Sequence, residues 1–252
     1  MKKINTILFA AIGLVSITLV IASCTKDKAP TPAAKPAPVT TFSFAEEFDN
    51  VGDLAAKGWE IKNFSQPQGA NAWGQGRYEN NLGGNKAGKV IGMPAYSATN
   101  SPYDFISVDA TAVNNAGIVN CWLLTPQTTV KNGDILSFWT RAMSDSDWNN
   151  FAKDRMQVRI NTIDGSIDCG SNDSANVGKF TRVLLDINPT LANNDPGGYP
   201  QTWVKRTITL TGITGTPKAR FGFRYFNPNG GLSGANASSL IGIDQLIFTS
   251  IP

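Results

Sequence analysis

Residues 155–160, RMQVRI, alternate without a break, with Met156, Val158 and Ile160 on one side and Arg155, Gln157 and Arg159 on the other. That is the period-two signature of a strand with one buried face. Short runs rich in aromatic and β-branched residues recur at 134–141 (DILSFWTR), 179–187 (KFTRVLLDI), 202–210 (TWVKRTITL), 219–226 (ARFGFRYF) and 241–248 (IGIDQLIF), separated by Gly, Asn, Asp and Pro. Only 53–57 carries a faint helical pattern. Many short strands without amphipathic helices between them predict an all-β fold, a two-sheet antiparallel β-sandwich of jelly-roll type rather than a parallel α/β sheet.

The N-terminal pattern differs. Lys2 and Lys3 precede an apolar run from Ile7 to Ala22, too short for a comfortable membrane span and suited to a signal-peptide core. It ends in Ile21-Ala22-Ser23-Cys24, which resembles the bacterial lipobox, so residues 1–23 read as a lipoprotein signal peptide and Cys24 as the lipidated residue. Thr25 follows, not the aspartate that often retains such proteins at an inner membrane, and the expected location is the outer membrane, with a cell-surface or an inward-facing leaflet both open. Residues 24–40 then run CTKDKAPTPAAKPAPVT. This Pro- and Ala-rich tether has no apolar periodicity with which to build a core, and extended polyproline geometry would let it reach on the order of 50 Å. Residues 41–252 are long enough for one β-domain.

Charge narrows the partners. The formal net charge is +3, and without Lys2 and Lys3 the balance is 20 basic to 19 acidic residues. No run of Lys and Arg stands out in the sequence, so a nucleic-acid partner is not expected. The chain has no histidine, which removes Ser-His-Asp and Cys-His catalysis and His-ligated metal sites. A two-carboxylate glycosidase needs none, but Glu46, Glu47, Glu60 and Glu79 all fall early and form no E-x-D-x-x-E pattern. Gly74 and Gly76 in WGQGRY lack a following helix and do not make a phosphate loop. Asp145, Asp147 and Asn149 match the start of a calcium loop, but Asn150 and Met156 stand where its glycine and closing glutamate belong. These positions, Asp164, Asp168 and Asn193 to Asp195 read as turn formers.

Aromatic residues supply the binding candidates. Trp148 lies in a polar loop, and Tyr199 and Trp203 bracket a proline turn, where rings are able to stack on sugars or anchor a protein. Trp59, Trp122 and Trp139, in or beside apolar strands, read as core. The Gly-rich stretch from Asn227 to Ser238 reads as a connection or a loop closing over a ligand. Cys121 and Cys169 are candidates for a disulfide in an oxidising compartment, with a small buried hydrophobe as the alternative for Cys121.

The ordered series FAEEFDN (44–50), GW (58–59), CWLLTP (121–126), LSFWTR (136–141), DRMQVRI (154–160), LLDINP (184–189), YPQTW (199–203), FGFRYF (221–226) and SGANASSLIGID (233–244) resembles the choice-of-anchor J domain, a family related to cleaved-adhesin modules and similar to MAM-type jelly rolls. The resemblance implies a surface or secreted β-sandwich without enzymatic activity. The expected function is a noncatalytic, lipid-anchored surface module binding glycan or protein, with a structural component of a surface assembly and a jelly-roll glycoside hydrolase as alternatives.

One carboxylate needs separate explanation. Strict alternation puts Asp244 on the same face as Leu246 and Phe248, and Glu46 with Phe42, Phe44 and Phe48. Buried acids need a positive partner, either an arginine such as Arg220 or Arg224 or a calcium ion, which takes six to eight oxygens. The resemblance implies a structural calcium between the first and last strands, with Glu46, Asp49 and Asp244 as ligands and Glu47 as the alternative to Glu46.

Overall fold

The computed structural model describes residues 42–80, 90–97, 101–144, 152–194 and 197–251, all within a unit spanning Val39–Pro252. The strands are β1 (Phe44–Glu46), β2 (Glu60–Asn63), β3 (Gln66–Gln68), β4 (Gly74–Gln75), β5 (Tyr78–Asn80), β6 (Val90–Gly92), β7 (Ile106–Asp109), β8 (Val113–Leu124), β9 (Thr128–Thr129), β10 (Ile135–Ala142), β11 (Met156–Asn161), β12 (Arg182–Ile187), β13 (Val204–Thr209), β14 (Lys218–Gly231) and β15 (Leu240–Thr249). The alternating runs of the sequence supply β10 to β15. The faint helical signal at 53–57 becomes a turn following a short 3-10 helix, Val51–Asp53, whose first turn is capped by the Asn50 side chain.

Two antiparallel sheets carry the fold. One runs β13-β10-β15-β7-β4 with β1 added to β15, and the other runs β12-β11-β14-β8-β2 with β3 on β8 and β9 on β14. Taking β7, β8 and β10 to β15 as eight successive strands, the first sheet orders them 6-3-8-1 and the second 5-4-7-2. That is jelly-roll connectivity: the chain crosses between sheets at every step except the β11–β12 hairpin.

Inward-facing aromatics join the sheets. Phe138 of β10 meets Phe223 of β14 edge-on at 5.1 Å, and Phe248 of β15 meets Phe221 of β14 at 5.3 Å. All four are fully buried, each contributing about 1.5–3 kcal/mol by removal from water. Strand β14 runs five residues beyond Phe226 into the Gly-rich stretch, where Gly231 takes φ of 91°, so only its second half is a connection.

Of several breaks in the register, the one in β15 bears on Asp244. Ser137 pairs with Ile247 but Trp139 pairs with Asp244, so Phe138 faces two residues, Gln245 and Leu246. Gln245 absorbs the extra residue with φ of 44°. A bulge of this kind reverses which side chains face the core. Ile241 and Ile243 point inward before it, Leu246 and Phe248 after it, and Asp244 is moved to the outer face of its sheet. The expectation that Asp244 shares a face with Leu246 and Phe248 is therefore corrected.

Candidate functional site

On that outer face Asp244 finds its partners. One carboxylate oxygen accepts the backbone N–H of Tyr96 at 2.8 Å and of Ser97 at 3.1 Å, and the Ser97 hydroxyl at 3.2 Å. The other accepts the N–H of Gln245 at 2.7 Å and lies 3.4 Å from the Ser97 hydroxyl. Neither expected arginine reaches it: Arg224 bonds Asn120 and the Ser174 carbonyl, and Arg220 bonds the Gly58, Thr125 and Gly165 carbonyls. Burial pushes the Asp244 carboxyl up to about 6 despite these donors.

The segment held by Asp244 packs on the sheet through Met93 and Ala95. Met93, Ala95, Phe105, Met143 and Leu240 form its small apolar cluster, with Trp203 packed alongside. Gly242 is required beneath it, because a Cβ there would stand 2.6 Å from the Met93 side chain and 2.8 Å from Phe105. The result is an aromatic platform. The Tyr96 ring stacks on Trp139 with centroids 3.7 Å apart and planes within 17°, and Trp203 meets Tyr96 edge-on at 6.4 Å and Phe105 at 5.7 Å. Trp203 is fixed by an indole N–H bond to the Pro94 carbonyl at 3.0 Å. Tyr96 remains 41% exposed, so one ring face is presented to solvent.

Of the three expected binding aromatics, Trp203 lies in this group. Tyr199 does not: it is fully buried, its hydroxyl 2.6 Å from that of Thr140, with burial raising its pKa, and is a core residue. Trp148 lies outside the described residues, as do Cys24 and Asp145 to Asn150. Trp59 and Trp122 are buried as expected, but Trp139 belongs to the outer face. Alternation in LSFWTR carried that signal, since Leu136 and Phe138 leave Trp139 on the opposite side. Tyr96 had no such signal, because its place depends on a carboxylate 148 residues away.

The expected calcium ligands are not gathered. Glu46 pairs with Leu246 on the inward side of the sheet, and both of its oxygens bind the Lys57 ammonium, at 3.1 and 2.9 Å. Asp244, past the bulge, is on the other side. Glu47 lies beside Asp49, Glu46 and the Gln245 side chain, with burial first and Asp49 second raising its pKa. Among the described residues no group of three or more His, Cys, Asp or Glu side chains is placed to hold a metal. The Glu46–Asp49–Asp244 set does not fit an ion, and Asp244 is explained by the amides it accepts.

The two cysteines are likewise separated by a sheet. Cys121 lies in the core between the sheets with Leu123, whereas Cys169 packs with Trp122, Leu124 and Phe180 on the opposite face. Both are free, and burial raises their thiols to about 12 and about 11. The expected disulfide is not formed because side chains on opposite faces of β8 do not converge. Asp164 and Asp168 act in turns as expected, accepting the N–H of Ser166 and of Gly170. Asn194 instead is buried and bonded to Asp154.

A cleft of about 520 Å³ is lined by Trp73, Gln75, Arg77, Ser107 and Asp109, among others. Its polar groups are engaged internally: Gln75 bridges Val51, Phe48 and Tyr103 backbone groups, and Asp109 caps Thr111 and pairs with Arg77 at 3.5 Å. The Tyr96 group is the better candidate because it leaves an aromatic ring exposed while its neighbours hold it in place.

No helix of the described residues is long and apolar enough to cross a membrane. No family model and no curated protein matches the chain, so the choice-of-anchor J resemblance stands on its motifs alone. Among solved structures, the chain is similar to the K1 cleaved adhesin domain of Lys-gingipain (Kgp) from Porphyromonas gingivalis W83, at 17% identity and a TM-score of 0.46 over 83% of this chain and 99% of that one. The K3 cleaved adhesin domain of the same protein gives 19% and 0.45 over 82% and 98%. The carbohydrate-binding module TmCBM61, solved in complex with beta-1,4-galactotriose, gives 9% and 0.37 over 79% and 94%.

Proposed function

We propose that the chain is a noncatalytic surface module that binds a glycan on the Tyr96 platform and is anchored by lipid on Cys24. The observation that carries the reading is the exposed Tyr96 ring, backed by Trp139 at 3.7 Å and clipped at its backbone by Asp244. A ring held this firmly loses little side-chain freedom on binding, so the apolar face of a sugar is able to stack on it at small entropic cost. A single ring and a few polar contacts support weak binding, with Kd on the order of 0.1–1 mM.

A glycan array probed with the purified full chain, followed by calorimetry on the best sugar, tests this. Tyr96→Ala should weaken binding at least tenfold while leaving the melting temperature within a few degrees. Turnover of any bound sugar would make the chain a hydrolase, and silence across the array would favour a structural role. The anchor is tested separately by labelling cells with a clickable fatty acid: Cys24→Ala should lose the label, and equal labelling of both proteins would exclude lipid at that position.

A further inference from the structure

Resting on that glycan-binding reading, we propose that the sugar taken at the platform is acidic, with its carboxylate held by Lys205 and Arg141 while its ring lies on Tyr96. The strand register places these groups. Trp139 of β10 stands directly opposite Lys205 of β13 on one side and Asp244 of β15 on the other, so all three share the outer face, with neighbouring Cβ atoms about 5 Å apart. Arg141 lies two residues along β10 on the same face, opposite Gly242, over which Met93 and Phe105 pack. The Tyr96 ring, stacked over Trp139, therefore has Lys205 and Arg141 as its cationic neighbours.

The balance of charge at this site is positive. Asp244 is the acid in the row, and both its oxygens are engaged by Tyr96, Ser97 and Gln245 and buried beneath the ring. Lys205 is exposed and Arg141 half-buried, and among the described residues neither forms a salt bridge. Arg141 donates from Nε to the Ala142 carbonyl at 3.1 Å, which leaves the terminal nitrogens of its fork for a ligand. Burial also lowers the Arg141 pKa, a desolvation penalty on its charge. A carboxylate arriving there offsets that penalty and matches the guanidinium geometry. A nucleic acid is the poorer fit, since two cations on a chain of net charge +3 do not make the extended phosphate contact it needs.

The test compares oligogalacturonate and hyaluronate tetrasaccharides with their methyl esters, which keep the ring and remove the charge. Calorimetry on the full chain should show the free acid of at least one pair binding tenfold or more tighter than its ester. That gap should shrink to less than threefold in Lys205→Ala/Arg141→Gln and narrow as salt is raised from 20 to 300 mM, whereas Lys218→Ala, an exposed lysine on β14, should leave it intact. Tyr96→Ala should weaken acid and ester together. Acid and ester binding alike would overturn the acidic preference and leave the platform standing. A tenfold gap that survives the double variant would also overturn it. No binding by these sugars, with a neutral sugar bound on the array, would exclude the acid class, and no binding by any sugar would remove the glycan reading itself. Tight binding of a phosphate-rich oligonucleotide in preference to both acids would replace the sugar with a polyanion.

Discussion

Asp154→Ala is expected to cost about 4 kcal/mol of folding stability, a large part of the 5–15 kcal/mol typical of a domain. Asp154 is fully buried just before β11. Its oxygens accept four bonds: Tyr225 hydroxyl and Ser239 N–H on one, Asn194 amide and Ser239 hydroxyl on the other. The Tyr225 hydroxyl stays a donor because burial, and then Asp154 itself, raise its pKa well above the ordinary value. These donors come from β14, from the approach to β15 and from the segment after β12, so one carboxyl ties together one end of the sandwich. Alanine strands several buried donors at once, each costing about 1–3 kcal/mol unless water enters. Urea unfolding decides it. Ser239→Ala, which removes one of the four, should cost about 1 kcal/mol, and a loss below 1 kcal/mol for Asp154→Ala at unchanged m would show that the network does not hold the end together.

How much of this was legible follows from what each feature depends on. Strands β10 to β15 were readable because alternation and turn residues are local. Strand β8 was harder: VNNAGIVNCWLL opens with Asn and Gly, and its regular pairing with β14 along Val119–Leu124 gives way to a shifted register at Ala116 and Gly117. The outward place of Trp139 was present in LSFWTR but outweighed by its hydrophobicity. Asn194 read as a turn former and nothing marked Asp154, since nothing local reveals that its carboxylate meets partners 40 and 85 residues away. The bulge at Gln245 was invisible for a related reason. Nothing in IGIDQLIF distinguishes an extra residue from continuous alternation, yet that residue decides whether Asp244 faces the core with Glu46 or the platform with Tyr96.

The bulge leads to a sign-specific expectation: between pH 4 and pH 7 the native chain should lose about 2 kcal/mol of stability relative to Asp244→Asn. Burial holds the Asp244 carboxyl at about 6 against an ordinary 3.8. A group whose folded pKa is raised binds its proton more tightly in the native state, so its contribution is fully present below about pH 4 and is lost as pH rises through 6. The opposite sign would hold if the bonds from Tyr96, Ser97 and Gln245 outweighed desolvation, since they favour the ionised form. Desolvation is the larger effect here, because Asp244 is sealed beneath the Tyr96–Ser97 segment and has no cation against it. Asparagine is nearly isosteric and does not titrate, and the carboxylates remaining in both proteins cancel in the comparison. The stability of the native chain relative to Asp244→Asn, measured by urea unfolding at four pH values, should therefore fall steadily from pH 4 to pH 7. Parallel curves would mean that the amides balance the burial, and a native advantage growing with pH would mean that they exceed it. In the expected case the ionised carboxylate is retained at a cost to stability, and what that cost secures is the position of the Tyr96 ring over Trp139.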